Sequence, residues 1–342
     1  MTKYFAGIEG GATKSRLVIL NDQGEQLVAV DGPGSNVFTI GVDEAAKRLI
    51  RLIRDGKQEA KLSGKLDSLG CALSGAEEES INEELKRRLL NDAADLCERI
   101  FITSDSVGTI VSAVDSGVVA IAGTGSSIRL LNTDGRVYGC GGWAHMIGDG
   151  GSATWIALEA VRAVFNDADH LVESPFDVSY VRARMYEYFN VDKRLTAMLP
   201  HLYGDWDKPF FAGFARLIAE GASDHQDRLC AHLLHEAGAQ LGRQVLAVAR
   251  HADKALLEDP TGLTVVIVGS VWNSFKFMKQ GFLGAIKPRH DRDAQIRRVR
   301  LVKCVESPAV GVAKYAASYH DLNVGSNANI RAAPTLFFET DL

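Results

Sequence analysis

The first segment suited to chemistry lies near the start of the chain, where residues 5–24 read FAGIEGGATKSRLVILNDQG. An apolar stretch enters a turn that contains Glu9, Gly10, Gly11 and Thr13, and a second apolar stretch leaves it. Glycine in a turn permits positive φ and brings bare N–H groups close to a ligand above it. The turn is therefore a candidate anion site, and an ordinary hairpin turn is the alternative for this segment taken alone.

The same pattern returns at residues 121–135, which read IAGTGSSIRLLNTDG. The turn is now Gly123, Thr124, Gly125 and Ser126, and each copy runs on through an Arg-Leu pair to a polar turn ending in glycine. Such a repeat predicts two related lobes, each with one Gly/Thr hairpin. Opposed turns rich in N–H and hydroxyl donors suit a polyphosphate held between them. Chance similarity of two hairpins is the alternative.

Two familiar phosphate-binding motifs do not occur in the sequence. A Walker A loop requires Gly-Lys-Ser/Thr, which is absent, and the dinucleotide fingerprint fails because Ile128 stands where its third glycine belongs. The pair of hairpins, together with a later Val-Gly-Ser turn at 268–270, remains as the candidate phosphate-binding device.

Polar side chains also stand where predicted strands give way to turns or helices. Asp105 ends a predicted strand and precedes a predicted helix, so it suits a helix N-cap. Asn36 suits an Asx turn, and Asp149 suits a helix N-cap. Ser74-Gly75, at the end of another predicted strand, is a weaker candidate.

Composition excludes several classes of protein. The formal net charge of −5 gives no basic surface for nucleic acid. No apolar run reaches the roughly 18 residues of a membrane span, and the first residues lack the apolar core of a secretory signal. The 5 cysteines form no CxxC pair, which favours reduced thiols over a zinc or iron–sulfur site. We therefore expect a soluble cytoplasmic protein without a nucleic-acid or membrane partner.

Hydrophobic periodicity predicts the elements that position these residues. The first part of the chain favours strands at 4–10, 14–21, 25–31, 66–74 and 99–104 and helices at 42–60, 78–91 and 106–114. The second part starts with a strand at 117 and favours helices at 151–167, 177–189, 207–222, 227–251 and 308–320 and a strand at 296–304. Within 263–272 it favours a strand that ends in a Gly-Ser turn before a helix. This alternation predicts an α/β fold of mixed sheets flanked by helices.

The chain length suggests about two domains. We expect an N-terminal lobe at 1–115, with 324–342 packing back on it, and a larger C-terminal lobe at 116–323. No Pro- or Ser-rich linker separates the lobes, so we expect them to abut across a cleft.

Taken together, the motifs resemble a known family. The two hairpins and the Val-Gly-Ser turn resemble the phosphate-1, phosphate-2 and adenosine motifs of the actin/hexokinase/Hsp70 ATPase superfamily. Three further segments narrow the resemblance to the animal-type N-acetylglucosamine kinases, a branch of the BadF/BadG-like ATPase group: GCGGWAHMIGDGGSATWIA at 139–157, FAGFARLIAEGA at 211–222 and VGSVWNSF at 268–275. The resemblance implies a two-lobed actin/hexokinase-like (ribonuclease H-like) fold with a cleft between the lobes.

The resemblance also implies a role for each candidate residue. Asp105 is the catalytic base, and Glu9 holds Mg²⁺ through water. The implied ATP-binding residues are Gly10, Gly11, Thr13, Gly123, Thr124, Gly125, Ala212, Gly269 and Ser270. The implied sugar-binding residues are Asn36, Asp105, Ser126, Ser127, Gly142, Trp143, Ala144 and Asp149, with a core tryptophan as the alternative for Trp143.

The implied activity is transfer of phosphate from MgATP to the 6-hydroxyl of N-acetyl-D-glucosamine in amino-sugar salvage, by a homodimer. Four positions depart from the family pattern, namely Phe38, Ser127, Ala144 and Gly150, and most of them adjoin the implied sugar pocket. Selectivity for the acetamido group therefore stays open. Alternatives within the superfamily are a non-catalytic sugar sensor and an activator ATPase, although the latter needs thiolate ligands for an iron–sulfur cluster.

Overall fold

A computed structural model describes residues 2–204, 206–287, 294–322, 324 and 332–342. The chain divides into two compact units. The first unit comprises Met1–Val119 and Leu301–Phe338, and the second comprises Ala120–Arg300 and Glu339–Leu342.

Three strands, a long helix and then alternating strands and helices open the chain. They are β1 (Tyr4–Gly10), β2 (Lys14–Asn21), β3 (Gln26–Pro33), α1 (Val37–Glu59), β4 (Ser68–Leu73), α2 (Glu79–Asp92), β5 (Ile100–Ser104) and α3 (Asp105–Ala113). Helix α1 starts earlier than the periodicity predicted, because Asn36 caps it, and Gly41 interrupts its helical geometry with φ of 77°.

The second part begins with three strands and continues with helices. The elements are β6 (Gly117–Ala122), β7 (Ser126–Leu131), β8 (Val137–Gly141), α4 (Ala144–Ile147), α5 (Ala153–Ala168), α6 (Ser179–Tyr188), α7 (Leu199–Tyr203), α8 (Lys208–Asp224), α9 (Arg228–Ala249), α10 (Lys254–Leu257), β9 (Leu263–Val268), α11 (Phe275–Ile286), β10 (Arg298–Lys303), α12 (Pro308–Tyr319) and β11 (Thr335–Asp341). Short 3-10 helices occupy Leu195–Met198 and Ser270–Ser274. The strand predicted within 263–272 ends at the Gly-Ser turn and a helix follows, as predicted. The sequence did not predict β8, β11 or the shortest helices.

The strands form two mixed sheets, as predicted for an α/β fold. The first has the order β3-β2-β1-β4-β5, and the second has the order β11-β10-β9-β6-β7-β8. In the first sheet, β1 runs antiparallel to β2 and parallel to β4, which in turn runs parallel to β5. This register aligns Gly10 with Leu73 and Leu73 with Ser104, so three strands end at the same edge.

Apolar side chains cover both faces of the first sheet. On one face, Leu49 and Ile53 of α1 pack with Leu17 and Ile19 of β2 in a buried cluster. On the other face, α12 packs with Phe5 and other residues of β1 and β2. Burial of each such side chain stabilises the fold by about 1.5–3 kcal/mol.

Helix α12 belongs with the first unit, although the sequence placed residues 308–320 in the second lobe. Its close approach is possible because the strands beneath it carry glycine. A β-carbon at Gly7 would lie 1.8 Å from the Ala309 carbonyl oxygen, and one at Gly70 would lie 2.2 Å from that of Val312. Strand β11 joins the second sheet, and part of the predicted segment 324–342 lies outside the described residues.

In the second unit, Trp272 anchors the segment after β9 to the sheet. Its indole Nε1 donates a hydrogen bond of 3.0 Å to the carbonyl oxygen of Ala120 in β6. All 5 cysteines are free, as the lack of a CxxC pair indicated. Among the described residues, no helix has the length and hydrophobicity that a membrane span requires.

We predict that Gly7→Ala lowers the free energy of unfolding by about 1–3 kcal/mol, because the added methyl group would force β1 and α12 apart. Urea denaturation followed by circular dichroism measures the change. Gly64→Ala is the matched control, since a β-carbon there meets nothing within 4 Å. Equal stability of the two variants would contradict this account of the α12 packing.

Candidate functional site

The first hairpin is held tightly by the loop that follows β3. The Gly11 N–H donates to the Lys14 carbonyl oxygen at 2.9 Å, and the Gly11 carbonyl oxygen accepts from the Ser35 N–H at 3.0 Å. A β-carbon at Gly10 would lie 2.1 Å from Ser35 Oγ, so the turn requires glycine there. Thr13 is exposed at its tip. Its carbonyl oxygen accepts from the Gly34 N–H at 3.2 Å, which ties this part of the turn to the same loop.

Asp105 is the first residue of α3, and it does not cap that helix. The cap is Ser104, whose Oγ accepts from the Val107 N–H at 3.3 Å. The Asp105 carboxylate instead accepts a 2.5 Å hydrogen bond from Ser74 Oγ, just beyond the end of β4. Parallel pairing of β4 and β5 brings the two residues together. The capping alternative for Asp105 is wrong, and Ser74 is its direct partner.

Glu9 lies on β1 in the same unit and is half-buried. Burial raises the pKa of its carboxyl, the nearby Lys14 cation opposes the shift, and the Asp105 charge adds to it. Desolvation disfavours a charged carboxylate, and a second carboxylate nearby does the same. Glu9 and Asp105 are therefore two carboxyl groups that influence each other electrostatically at one end of the sheet.

Asn36 is the N-cap of α1, whereas the sequence predicted an Asx turn at this position. Its Oδ1 accepts from the Thr39 N–H at 3.2 Å at the start of α1. Gly75 lies against it with φ of 87°, and a β-carbon there would be 2.9 Å from Asn36 Oδ1. The backbone also joins them, because the Val37 N–H donates to the Ser74 carbonyl oxygen at 3.2 Å. Asn36 thus lies beside the Ser74–Asp105 pair.

In the second unit, the hairpin between β6 and β7 is fastened to the start of α5. The carbonyl oxygen of Gly123 accepts from the Ala153 N–H at 2.9 Å. That of Thr124 accepts from Thr154 Oγ1 at 2.6 Å. These bonds fix the turn through its carbonyl groups. The Thr124 side chain stays exposed.

Asp149 connects this hairpin to α8 through a buried carboxylate. Its Oδ1 accepts from the Ser126 N–H at 3.1 Å, and its Oδ2 pairs with Lys208 Nζ at 2.7 Å. The side chain is only 4% exposed. Ser152, and not Asp149, caps α5. The capping alternative for Asp149 is therefore wrong, and the carboxylate ties two segments of the unit together.

The loop after β8 presents an exposed aromatic ring. Trp143 is 70% exposed, so the core alternative for it is wrong. Left-handed backbone on both sides, with φ of 83° at Gly142 and 60° at Ala144, turns the chain sharply there. Ser127 lies near, since a β-carbon at Gly142 would be 3.1 Å from Ser127 Oγ. The predicted residues Ser127, Gly142, Trp143 and Ala144 thus share one surface of the second unit.

A cavity of about 430 Å³ in the second unit brings together three predicted residues from distant segments: Thr124, Ala212 and Ser270. Its size falls within the usual range of small-molecule sites. The neighbouring turn requires glycine at position 269. Gly269 has φ of 105°, and a β-carbon there would lie only 2.2 Å from the Ala122 carbonyl oxygen. The grouping matches a site for one ligand.

The structure adds residues that the sequence reasoning missed. Arg216, Asn273 and Ser274 also line the cavity. Arg216 lies one helical turn after Ala212 on α8, so helical spacing was the available signal for it. Lys208 gave no such signal, because its partner Asp149 is distant in sequence.

Comparison with known families now places the chain. Residues 6–296 match the model of the BadF/BadG/BcrA/BcrD ATPase family. The chain belongs to this family. The resemblance inferred from the hairpins and the glycine-rich loop is thereby confirmed at the family level.

Individual relatives are sugar kinases. The chain is 29% identical over 175 residues to an N-acetylmuramic acid/N-acetylglucosamine kinase from Clostridium acetobutylicum, covering 49% of this chain and 55% of that one. It is 31% identical over 166 residues to a glucosamine kinase from Vibrio cholerae, covering 47% and 54%. The chain thus spans about half the length of the curated relatives it matches.

Solved structures share the fold over almost the whole chain. A candidate N-acetylglucosamine kinase from Chromobacterium violaceum superposes with a TM-score of 0.61 at 22% identity, covering 91% of this chain and 98% of that one. A ROK hexokinase from Thermus thermophilus gives a TM-score of 0.52 at 15% identity, covering 93% and 99%. The predicted actin/hexokinase-like fold is confirmed.

We predict that Glu9→Gln changes the pH dependence of stability. Because burial raises the Glu9 pKa above its ordinary value of 4.5, the folded state favours the protonated form. That contribution to stability is fully present below pH 4.5 and is lost as the pH rises through the folded pKa. The free energy of unfolding of the variant should therefore rise relative to wild type between pH 4.5 and neutrality.

Urea unfolding at several pH values, without nucleotide or metal, measures this difference. Glu59→Gln, at an exposed position near the end of α1, is the control and should show no such trend. A Glu9→Gln variant that loses stability relative to wild type as the pH rises would contradict the effect of burial.

Proposed function

We propose that this protein is an ATP-dependent amino-sugar kinase that phosphorylates the 6-hydroxyl of N-acetyl-D-glucosamine, giving N-acetylglucosamine 6-phosphate and ADP. The observation that carries the proposal is the Asp105 carboxylate, which Ser74 Oγ holds at 2.5 Å where β4 and β5 end. It is an oriented carboxylate in a chain that belongs to an ATPase family and has relatives named as sugar kinases.

Asp105 serves as the general base. Its carboxylate accepts the proton of the sugar hydroxyl as the new bond to phosphorus forms, which requires hydrogen-bond reach between the two groups. Ser74 donates to one carboxylate oxygen and so fixes the orientation of the group. The second oxygen then serves the acceptor hydroxyl. Catalysis of phosphoryl transfer depends mainly on such positioning and on stabilisation of charge.

The residues proposed to bind the nucleotide lie in one hairpin of each unit and, in the second unit, also along the cavity. The 430 Å³ cavity of the second unit, with Thr124, Ala212 and Ser270 in its wall, takes the nucleoside. The proposed phosphate-binding residues are Gly123, Thr124 and Gly125 in the second unit and Gly10, Gly11 and Thr13 in the first. Thr124 and Thr13 are exposed, and each offers a hydroxyl donor. This division of roles is the one that the family resemblance implies.

Mg²⁺ accompanies the nucleotide, and Glu9 fits its chemistry. Mg²⁺ keeps several waters and takes one or two protein carboxylates, so a single half-buried carboxyl on β1 suits a contact through water. When bound, Mg²⁺ would favour the ionised form of Glu9 and would neutralise charge on the phosphates.

The sugar-contacting residues are Asn36 beside Asp105 in the first unit, and Ser126, Ser127, Gly142, Trp143, Ala144 and Asp149 in the second. Trp143 offers an exposed ring face to an apolar sugar surface. Asp149 supports the loop through Ser126 and Lys208. To select N-acetyl-D-glucosamine over sugars without an acetamido group, the site must provide hydrogen-bond partners for the amide. A site with such partners strongly rejects analogues that leave them unpaired.

We predict that ADP is released from MgATP only when a suitable sugar is present, and most rapidly with N-acetyl-D-glucosamine. The panel should contain N-acetylmuramic acid, N-acetylmannosamine, glucosamine and glucose, measured with a coupled assay. Asp105→Asn should lower kcat by about two to four orders of magnitude, because the base is lost. Calorimetry should show that this variant still binds ATP.

Asp92→Asn is the matched control at an exposed position at the end of α2, and its activity should equal that of wild type. If only another sugar of the panel is phosphorylated, the role of Asp105 as the base stands and the proposed substrate is replaced by that sugar. ADP release that is independent of any sugar, or an active Asp105→Asn variant, would contradict the proposal. ATP binding without turnover would favour a sugar sensor.

A further inference from the structure

Three side chains on α9 converge on one face of that helix. His232, His235 and Glu236 are spaced i, i+3 and i+4, and residues at this spacing are neighbours on a helix surface. One ligand atom from each, a ring nitrogen of each histidine and a carboxylate oxygen, lies within 4.8 Å of the other two. Nothing in the proposed kinase chemistry uses these residues.

We propose that His232, His235 and Glu236 form a site for a divalent transition-metal ion, of which Zn²⁺ is the best match. Two imidazoles and one carboxylate are donors that suit zinc, whereas Mg²⁺ and Ca²⁺ take oxygen ligands. Two imidazole nitrogens therefore select against the magnesium that accompanies the nucleotide.

The distances fit this ion after small side-chain rotations. His235 Nδ1 and Glu236 Oε1 are already 3.1 Å apart, a separation that two ligands of one ion can have. Zinc lies about 2.0–2.2 Å from each nitrogen or oxygen ligand, so two of its ligand atoms can be at most about 4.4 Å apart. The three ligand atoms here already lie within 4.8 Å of one another. The His235 and Glu236 side chains are 44% and 37% exposed, which leaves them room to turn and leaves water as a further ligand.

The surroundings hold one ligand in place and include two further carboxylates, one of them paired with an arginine. The His232 ring packs edge-on against Phe176, with centroids 5.5 Å apart. His232 also lines a cavity of about 150 Å³ together with Glu159 and Glu173. This space accommodates the ion's waters next to two more carboxylates.

Two arginines also border this region, and both have partners. Arg162, which lines the same cavity, forms an ion pair with Glu159. The Arg228 guanidinium lies over the Phe176 ring, 4.6 Å from its centroid. Arg162 is therefore paired with a carboxylate and Arg228 with an aromatic face. Neither arginine occupies the two histidines, which remain available to a metal ion.

Calorimetry tests the proposal with untagged protein that has been stripped with chelator and dialysed. Titration with ZnCl₂ at neutral pH should reveal one site per chain, and MgCl₂ and CaCl₂ should give no binding there. His232→Asn and His235→Asn should each weaken zinc binding by at least about tenfold, and Glu236→Gln should weaken it as well. His251→Asn is the matched control, because that ring stacks on Tyr138 at another position in the unit.

Co²⁺ gives a second readout that a structural role of the histidines would not produce. Its visible absorption should report nitrogen ligation in wild type and in His251→Asn, and should change in His232→Asn and His235→Asn. Thermal unfolding in EDTA should be the same for all variants, which shows that they fold. Absence of zinc binding in wild type, or undiminished binding in both histidine variants, would overturn the proposal whether or not the kinase activity is found.

Discussion

The parallel register of β1, β4 and β5 is the constraint on which the proposed catalytic centre depends. It ends three strands at one edge of the first sheet, with Gly10, Leu73 and Ser104 in line. The residues immediately beyond, Ser74 and Asp105, are thereby brought within hydrogen-bond distance. The same strands carry glycines that let α12 approach to backbone contact. The packing of α12 and the position of the proposed catalytic residues therefore depend on the same short strands.

The second unit depends on a different interaction, the buried carboxylate of Asp149. A buried charge is tolerated when it is paired and hydrogen-bonded, and removal of one partner costs about 3–5 kcal/mol. Here the Ser126 N–H donates to Oδ1, and Lys208 forms an ion pair with Oδ2. The glycine-rich loop, the hairpin and α8, which also lines the cavity with Ala212, are consequently held together by one group.

The sequence was most informative where function has a local signature. Repeated Gly/Thr hairpins and strand-to-helix junctions predicted both turns, the α/β fold and the position of Asp105. The sequence did not predict which of several nearby polar residues caps a helix. Ser104 and Ser152 are the caps of α3 and α5, whereas Asp105 and Asp149 were the candidates. The sequence also failed to predict long-range partners. Neither the Asp149–Lys208 pair nor the packing of α12 on the first sheet can be predicted from hydrophobic periodicity. Periodicity indicates which face of an element is buried, but not which other element covers that face.

The measurement that tests the central claim most directly is identification of the product made from N-acetyl-D-glucosamine and MgATP. Mass spectrometry shows whether the sugar gains a phosphoryl group, and proton–phosphorus NMR correlation shows which oxygen carries it. The account predicts one added phosphoryl group whose phosphorus couples to the methylene protons on C6. Unchanged sugar accompanied by inorganic phosphate, or coupling to the anomeric proton, would contradict it.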